Sequence, residues 1–272
     1  GKPWAKNILE NLPSLIGTKN LHDLKIAGVE DAVIVAAGSG RRAAKRNDPL
    51  SKKRAVGLAP SLAKQFWQLG PKMVLAHSLD YFCAHPQISA VILVLPESKI
   101  SQTKNIIAAA ETQVHLVCGG ITRQDSVRAG LDALDALQSC DEITHVAIHD
   151  AARPLIPSDL LDRLITAVTA STNSKIIGAA PVLPLADSIK TLDRDNQLDD
   201  KPITGSIDRN QLAAAQTPQL FAREVITTLH KEFATKPGFT DDCSLAEAAG
   251  FRTTMIDGAK QLMKLTDADD FA

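Results

Sequence analysis

Short, continuous apolar runs recur along the chain and are separated by stretches with a different periodicity. Several of these runs are rich in β-branched residues and end at glycine, proline or aspartate, as strands commonly do. Apolar character without strict alternation is typical of parallel strands that are covered on both faces. We therefore predict buried strands over residues 31–38, 89–96, 112–120, 144–150 and 174–182.

The stretches between these runs carry apolar residues at spacings of three and four, which is the pattern of amphipathic helices. Helices are predicted over residues 72–85, 126–139 and 158–171. Strands that alternate with helices over short connections indicate an α/β fold with a doubly wound, mostly parallel sheet. Ligands of such sheets bind beyond the carboxyl ends of the strands.

The alternation of strands and helices stops after residue 182. Residues 185–221 are predicted to form two extended pieces around a polar turn, with a β-hairpin arm projecting from the sheet at about 184–212. Arms of this kind often mediate dimers. Residues 1–30 are expected to form a helical lead-in and linker, so that residues 31–272 make up one domain.

Composition excludes several classes of protein. The 272 residues are 44% hydrophobic and 22% charged, with a formal net charge of -1, which is ordinary for a globular chain. A nucleic-acid-binding protein is usually more basic. No apolar run approaches the roughly 20 residues of a membrane span, and the first residues lack the apolar core of a signal peptide. We expect a cytoplasmic protein whose partners include neither nucleic acid nor a membrane.

The cysteines and histidines predict no metal site. Four cysteines and seven histidines are dispersed along the chain, and no two cysteines form a C-x-x-C pair. This spacing suits neither zinc ligands nor a disulfide framework. We therefore expect free thiols and no metal-ligating residues.

The stretch "AAGSGRR" follows the first predicted strand and allows three interpretations. Gly38, Gly40 and Ala43 satisfy the dinucleotide pattern G-x-G-x-x-A, but the following residues are basic and lack the acidic residue that the pattern expects about 20 positions on. Glycines let backbone N–H groups approach a phosphate, and Arg41 and Arg42 would add charge-assisted bonds. A simple strand-to-helix turn is the third interpretation.

Two further stretches fall at the ends of predicted strands. In "GGITRQDSV", Asp125 and Ser126 either cap a helix or contact a ligand. In "HDAARP", Asp150 either holds a ribose hydroxyl or a metal-bound water, or forms a local ion pair with Arg153.

Together these stretches resemble the 2-C-methyl-D-erythritol 4-phosphate cytidylyltransferase family of the non-mevalonate isoprenoid pathway. The segments "KQFWQLGPKMVLAHSL", "DSIK", "SIDRNQLAAAQTPQLF", "FTDDCSLAEAAGF" and "MKLT" also occur in the family's order. The resemblance extends from about residue 31 to residue 272. "PVLPLADSIK" is most similar to versions fused to a cyclase, and we do not expect a cyclase domain within residues 1–272.

The resemblance implies a nucleotide-diphospho-sugar transferase-like, Rossmann-like sheet and a CTP-dependent reaction. CTP and 2-C-methyl-D-erythritol 4-phosphate would give 4-diphosphocytidyl-2-C-methyl-D-erythritol and pyrophosphate, with Mg²⁺ bound mainly through the CTP phosphates. It also implies a homodimer that pairs through the arm.

Site residues follow from the same resemblance. Arg42 and Lys64 would stabilise charge at the α-phosphate, and Arg209 and Lys264 would hold the attacking phosphate, which makes these four the expected catalytic residues. CTP would be bound by Ala37, Gly38, Gly40, Gly120, Arg123, Ser126, Asp150 and Ala151. The acceptor would be bound by Arg153, Ser188, Asp208, Thr240 and Asp241. Because Ser188 and Arg209 lie on the arm, they are expected to serve the partner's active site.

The chain departs from the family's pattern before Lys64. Arg42 and Lys64 are 22 positions apart, Ala63 replaces a proline, and a basic insert occupies residues 43–63. This insert is either a solvated loop or a lid that orders over the triphosphate. Ile121, Ser188 and Leu262 also differ from the residues that are common in the family.

Two other functions agree with the same motifs. One is a cytidylyltransferase for another sugar-alcohol phosphate, such as ribitol 5-phosphate. The other is a nucleotide-binding regulator that binds CTP without releasing pyrophosphate.

Overall fold

The computed structural model describes residues 29–37, 63–107, 113–137, 143–193, 202–236, 238–266 and 269–271. The strands in this part of the chain are β1 (Val29–Val35), β2 (Gln68–Leu69), β3 (Lys72–Met73), β4 (Ile88–Leu95), β5 (Gln113–Cys118), β6 (Ile143–Asp150), β7 (Ile176–Pro184), β8 (Ile189–Leu192), β9 (Ile203–Ile207), β10 (Ala213–Ala215), β11 (Gln219–Ala222) and β12 (Arg252–Asp257). The α-helices are α1 (Val74–Ala84), α2 (Glu97–Ile107), α3 (Arg123–Ala136), α4 (Leu160–Thr169), α5 (Arg223–Glu232) and α6 (Asp242–Ala248). Short 3₁₀ helices lie at Lys64–Phe66, Arg209–Gln211, Lys260–Leu262 and Asp269–Phe271.

The main sheet is mostly parallel and has eight strands. Its order is β10–β7–β11–β6–β1–β4–β5, and β12 also pairs with β7. β1 lies between β4 and β6 and is parallel to both, whereas β10 and β11 run antiparallel to their neighbours. The chain winds from β1 to β4 and β5 and then returns to the other side of β1 as β6. This reversal places a crevice at the carboxyl ends of β1 and β6, where Val35 lies opposite Asp150.

Helices cover both faces of this sheet. Val33 of β1 packs in a cluster with residues of α3, α5 and α6, whereas its neighbours Ala32 and Ile34 pack in a second cluster with residues of α1 and α4. Alternate side chains of one strand therefore enter two separate cores. Burial on both faces explains the continuous apolar runs in the sequence.

The predicted α/β fold is confirmed. The five predicted strands correspond to β1, β4, β5, β6 and β7, and the three predicted helices correspond to α1, α3 and α4. The predicted burial is wrong for β5, which is an edge strand whose described side chains are half-buried or exposed. The pattern does not predict α2, which begins directly after Pro96 and has mostly polar residues. Among the described residues, no helix is both long and apolar enough to cross a membrane.

Residues 185–221 follow the prediction only in part. β8 and β9 form a separate antiparallel pair with Ile189 opposite Ile207, within the predicted arm, and residues 194–201 between them lie outside the described residues. The last residues of this segment differ from the prediction, because they form β11, a fully buried strand between β6 and β7 and not part of an arm. Its four residues follow a proline and are too few to show a periodicity that separates a central strand from an arm.

Candidate active site

A cleft of about 250 Å³ lies at the carboxyl edge of the main sheet. Its walls come from the end of β6, the first turn of α3, the segment from β10 to the start of β11, the residues just before α6 and the segment that follows β12. The lining residues are Arg123, Asp150, Arg153, Ala215, Thr217, Gln219, Thr240, Asp241 and Lys264. Three cations face two carboxylates in this set, so the formal charge of the cleft favours an anionic ligand.

Asp150 lies at the centre of the cleft and is bound by two cations. Its Oδ1 atom accepts a hydrogen bond from Arg123 Nε at 2.9 Å, and its Oδ2 atom accepts one from Lys264 Nζ at 2.5 Å. Burial raises the pKa of this carboxyl group, but the charges and hydrogen bonds of Arg123 and Lys264 outweigh burial and hold the pKa far below its usual range. Asp150 is therefore a carboxylate throughout the physiological range of pH.

Arg123 begins α3 and binds two carboxylates at once. Its Nη1 atom donates to Asp242 Oδ2 at 2.8 Å while its Nε atom donates to Asp150. Burial alone would lower the pKa of the guanidinium group, but Asp242 and Asp150 raise it overall. Arg123 Nη2 and Arg153 Nε are buried and have no hydrogen-bond partner among the described residues. Donors of this kind beside a cationic cleft favour a ligand that carries acceptor oxygens.

Lys264 reaches Asp150 because backbone bonds fix the segment after β12. The N–H of Leu265 donates to Ala152 O at 2.9 Å, two residues beyond Asp150. The buried Gln216 side chain binds the backbone of Ala259 in both directions, with its Nε2 atom donating to Ala259 O and its Oε1 atom accepting from Ala259 N. The Lys264 side chain is half-buried and still borders the cleft.

His149 supports the floor of the cleft from within the sheet. It is fully buried, and its ring nitrogens lie 3.2 Å from Ser78 Oγ and 3.2 Å from Thr217 Oγ1. Thr217 Oγ1 also accepts the backbone N–H of Asp150 at 3.0 Å. Burial lowers the pKa of His149 to about 4, so its imidazole is neutral at pH 7.

The turn between β5 and α3 requires glycine. A Cβ atom on Gly119 would lie 2.2 Å from Ala37 Cβ, and one on Gly120 would lie 2.3 Å from Asp125 Cβ. Gly120 N donates to Ser126 Oγ at 3.2 Å, which fixes the turn against the first turn of the helix. The turn therefore approaches the end of β1 and the first turn of α3 more closely than any other residue type would allow.

One local interpretation of the sequence is confirmed in part, and another is wrong. Thr122 is the N-cap residue of α3, and Asp125 contributes to the cap as the third helical residue of a capping box. Ser126 is not part of this box and accepts from Gly120 N. Arg153 does not form a local ion pair with Asp150, and its Nη1 atom donates to Leu262 O at 2.8 Å.

Six of the residues that were predicted to bind substrates line one cleft, namely Arg123, Asp150, Arg153, Thr240, Asp241 and Lys264. Asp241 has an additional local role as the cap of α6, since its Oδ1 atom accepts from Ser244 N and its Oδ2 atom accepts from Gln219 Nε2. Ala151 is fully buried and does not line the cleft. Gly120 and Ser126 lie at the adjacent turn.

The predicted arm residues lie apart from this cleft within the chain. Ser188, Asp208 and Arg209 are exposed and do not line it. Asp208 caps a short 3₁₀ helix by accepting from Asn210 N, and the Arg209 side chain donates to Ala186 O. This placement agrees with the expectation that the arm serves a partner subunit, which stays a prediction.

Part of the predicted site lies outside the described residues, namely Gly38, Gly40, Arg42 and all of the insert 43–63 except Ala63. The hypothesis that the insert is a lid therefore stays open. Lys64 begins the 3₁₀ helix that follows the insert. The next residue, Gln65, is buried and donates to Ala36 O at 2.6 Å, which fixes this helix to the end of β1. The predicted convergence of Arg42 and Lys64 stays a prediction.

Sequence reasoning missed the residues that support the cleft. No motif in the sequence marks these residues, because their functions depend on partners that are distant along the chain. They are Asp242, His230, Gln216 and Thr217. One signal was available. Asp242 follows Asp241 directly in "FTDDCS", and adjacent acids at the start of a helix point in different directions, so only one of them is needed as the cap.

Metal ligands are not clustered in the described part of the chain. No group of three or more His, Cys, Asp or Glu side chains is arranged there to hold a metal ion. Both oxygens of Asp150 already accept from cations. This donor set fits an Mg²⁺ ion that is carried mainly by substrate phosphates and waters, which is a common arrangement in nucleotide sites.

The fold and the cleft define a doubly wound α/β protein with a candidate site for an anionic ligand at the switch point of its sheet. Within this class, the model of the family IspD, 2-C-methyl-D-erythritol 4-phosphate cytidylyltransferase, matches residues 31–272. The chain belongs to this family.

Known relatives agree with this assignment. The chain is 37% identical over 244 residues to the bifunctional enzyme IspD/IspF of Rhodopseudomonas palustris strain CGA009 and 34% identical over 244 residues to that of Rhizobium rhizogenes strain K84. These matches cover 89% and 88% of this chain, but only 54% of each relative, so the chain spans about half the length of these proteins.

Solved structures share the fold. A crystal structure of a 4-diphosphocytidyl-2C-methyl-D-erythritol synthase is 27% identical, with a TM-score of 0.66 and coverage of 89% of this chain and 95% of that one. The corresponding synthase from Anaerococcus prevotii has a TM-score of 0.71 at 22% identity, with coverage of 91% and 95%.

Proposed function

We propose that this chain transfers a cytidylyl group from CTP to 2-C-methyl-D-erythritol 4-phosphate, releasing pyrophosphate. Membership of the family supports this function. The observation that carries it is the convergence of Arg123, Arg153 and Lys264 around Asp150 in one cleft. These cations come from three separate parts of the chain, and such an arrangement suits a ligand with several phosphates.

In the proposed reaction, the protein contributes mainly by positioning the reactants and by stabilising charge. In the proposed reaction, a phosphate oxygen of the acceptor attacks the α-phosphorus of CTP, a new P–O bond forms, and the bond to the pyrophosphate oxygen breaks. A phosphate monoester is largely ionised near neutral pH, so the attack needs no general base. Fixed cations that stabilise the developing charge account for most of the catalysis in such reactions.

The roles of individual residues are part of the proposal. Arg42 and Lys64 stabilise the α-phosphate, Lys264 holds the acceptor phosphate, and Asp150 contacts a hydroxyl group of bound substrate. Asp150 suits this role because it stays ionised and keeps lone pairs beyond those used by Arg123 and Lys264. The turn at Gly120 and Ser126 lies where the cytidine would be bound.

Mg²⁺ belongs to the proposal as a partner of the CTP phosphates. When bound, it supplies positive charge that offsets the charge of the triphosphate and of the leaving pyrophosphate. Asp150 and Asp241 are the acidic residues that line the cleft, and the hydrogen bonds that Asp150 already accepts leave it only a secondary role in holding the ion.

A homodimer that pairs through β8 and β9 completes the proposed enzyme. The hairpin exposes Leu192, Ile203 and Ile207, which are 49%, 65% and 44% exposed and suit a contact with a second copy. Ser188, Asp208 and Arg209 would then reach the cleft of the partner. A cytoplasmic location is proposed from the composition of the chain.

One assay separates this function from its alternatives. Pyrophosphate release is measured with CTP and Mg²⁺ while 2-C-methyl-D-erythritol 4-phosphate and ribitol 5-phosphate are supplied in turn. The proposal predicts release with the first acceptor and little with the second. Preference for ribitol 5-phosphate would assign the other cytidylyltransferase activity. CTP binding without pyrophosphate release from either acceptor would identify a regulator.

A further inference from the structure

We infer that Asp242 and His230 are positioning residues, which hold Arg123 and, through it, the carboxylate of Asp150. Neither Asp242 nor His230 lines the cleft. The inference rests on the proposed function in one respect, because Arg123 and Asp150 are the groups proposed to bind the nucleotide.

Three hydrogen bonds link the two residues to the cleft. His230 Nε2 donates to Asp242 Oδ1 at 2.9 Å, since a carboxylate only accepts. Asp242 Oδ2 accepts from Arg123 Nη1 at 2.8 Å, and Arg123 Nε donates to Asp150 Oδ1 at 2.9 Å. The chain of contacts therefore runs without a gap from α5 through α6 and α3 to the end of β6.

Burial makes this chain of contacts rigid. The side chains of His230 and Asp242 are each 1% exposed, whereas that of Arg123 is 25% exposed where it borders the cleft. Hydrogen bonds to charged groups are stronger in such surroundings, and the loss of one partner leaves a buried charge without compensation. His230 and Asp242, at the fully buried end of this chain of contacts, thus anchor Arg123 at the end that borders the cleft.

Two carboxylates on different edges of the guanidinium group fix its orientation. A bond from Nε to Asp150 alone would leave the plane of Arg123 free to rotate about that contact. The second bond, from Nη1 to Asp242, removes this freedom. Asp150 is in turn held by Arg123 on one oxygen and by Lys264 on the other. A displacement of Arg123 would therefore move the carboxylate that is proposed to contact substrate.

Charge balance gives Asp242 a second effect on the cleft. The two carboxylates of Asp150 and Asp242 offset the positive charges of Arg123 and Lys264 within one connected group. Without the charge of Asp242, Arg123 would be drawn more strongly towards the phosphates of a bound nucleotide. The geometry of the site would change even though no residue in contact with substrate had been replaced.

The test uses three variants. Asp242→Asn keeps the shape of the side chain and removes its charge. His230→Gln keeps an N–H donor at this position, and His230→Leu removes the donor. The first readout is hydrogen exchange at the Arg123 Nε–H group by NMR, assigned by its disappearance in Arg123→Lys. The second is kcat and KM per active site, with CTP affinity and stoichiometry from calorimetry. Asp80→Asn, which breaks an exposed ion pair with Lys72 away from the cleft, is the matched control.

We expect Asp242→Asn to accelerate exchange at Arg123 Nε–H by about tenfold or more. We also expect kcat/KM to fall about 10- to 100-fold, because small displacements of a positioned group cost this much. The stoichiometry of CTP binding stays near one per chain. His230→Leu shows smaller changes in the same direction, and His230→Gln and Asp80→Asn resemble the wild type.

Two results would overturn the inference. One is exchange and kcat/KM within about twofold of wild type in Asp242→Asn. The other is a loss of stoichiometry with unchanged affinity and unchanged kcat per active site, which would make Asp242 purely structural. If Asp242→Asn does not fold, the comparison of His230→Leu with His230→Gln tests the inference by the same hydrogen-exchange and kinetic measurements. If the wild type releases no pyrophosphate, the proposed function fails, while the exchange measurement still decides the inference because it needs no substrate.

Discussion

Lys264 and Asp150 are 114 positions apart in the chain, yet Lys264 Nζ lies 2.5 Å from Asp150 Oδ2. The contact joins the segment after the last strand of the sheet to the end of β6, and the bond from Leu265 N to Ala152 O holds the two segments together. The ammonium group thus has a carboxylate as its partner. A bound phosphate would offer it a second anionic partner from the side of the cleft.

The first prediction concerns this cation. Lys264→Met removes the charge while keeping much of the side-chain length, and we expect kcat/KM for the acceptor to fall about 10- to 100-fold, since a hydrogen bond to a charged group contributes about 1.5–3 kcal/mol. CTP affinity should change less, because the proposed role is to hold the acceptor phosphate. Steady-state pyrophosphate release and calorimetry with CTP measure the two effects.

Lys260→Met is the matched control for this variant. Lys260 is an exposed lysine of the 3₁₀ helix just before Lys264 and does not line the cleft. It should turn over like the wild type. Equal kcat/KM in Lys264→Met and Lys260→Met would remove Lys264 from the binding of the acceptor.

The sequence predicted the parts of the molecule that depend on local pattern. Continuous apolar runs identified the central parallel strands because these strands are buried on both faces, as Ala32, Val33 and Ile34 of β1 show. The short central strand β11 was missed, since its position depends on pairing with β6 and β7 and not on its own four residues. Edge and central strands of this length look alike in a sequence.

In the candidate site, too, the sequence predicted what depends on local pattern and missed what depends on distant partners. Motifs at the ends of strands identified Asp150 and Arg153, because chain order alone places strand ends at one edge of a parallel sheet. The partners of these residues could not be read from the motifs. Arg153 binds a backbone carbonyl of Leu262, and Asp150 binds Arg123 and Lys264, so each contact depends on how distant segments pack.

The second prediction concerns the pH dependence of stability through His149. Its pKa is lowered by burial from 6.5 to about 4, so between these values the unfolded chain binds a proton that the folded chain excludes. Stability from this group is fully present above pH 6.5 and is lost as the pH falls towards 4. The loss amounts to about 3 kcal/mol in the free energy of unfolding.

Urea denaturation at several pH values between 7 and 4 tests this dependence. His149→Gln replaces the imidazole by a side chain that does not titrate, so the difference in unfolding free energy between wild type and variant should shrink as the pH is lowered. Other groups contribute to both proteins and cancel in this difference. A difference that stays constant across the range would show that His149 does not exclude a proton in the folded state.

The third prediction tests whether the arm serves the partner subunit. Arg209→Ala and Asp150→Asn should each be nearly inactive as homodimers. In a mixed dimer, one cleft combines an intact Asp150 with an intact Arg209 from the other subunit. Random pairing of equal amounts makes half of the dimers mixed, so about a quarter of wild-type activity should return.

The control for this experiment mixes each variant with the double variant Arg209→Ala/Asp150→Asn. No pairing of those chains contains a complete cleft of the proposed kind, so activity should not return. Failure of Arg209→Ala and Asp150→Asn to complement each other, in a preparation where mixed dimers are demonstrated by mass, would place Arg209 in the cleft of its own chain.

The last prediction concerns Arg42, which the resemblance places at the α-phosphate. A fixed arginine stabilises the charge that builds up in the transition state of phosphoryl transfer, and the loss of such a residue costs about 10³–10⁵ in rate. We therefore expect kcat for Arg42→Ala to fall by about 10³ or more, with a smaller change in CTP affinity, because the interaction is strongest in the transition state. Arg252→Ala is the matched control, since Arg252 is exposed at the opposite edge of the sheet, at the start of β12. Single-turnover measurement of pyrophosphate release isolates the chemical step, and turnover by Arg42→Ala near the rate of Arg252→Ala would exclude Arg42 from it.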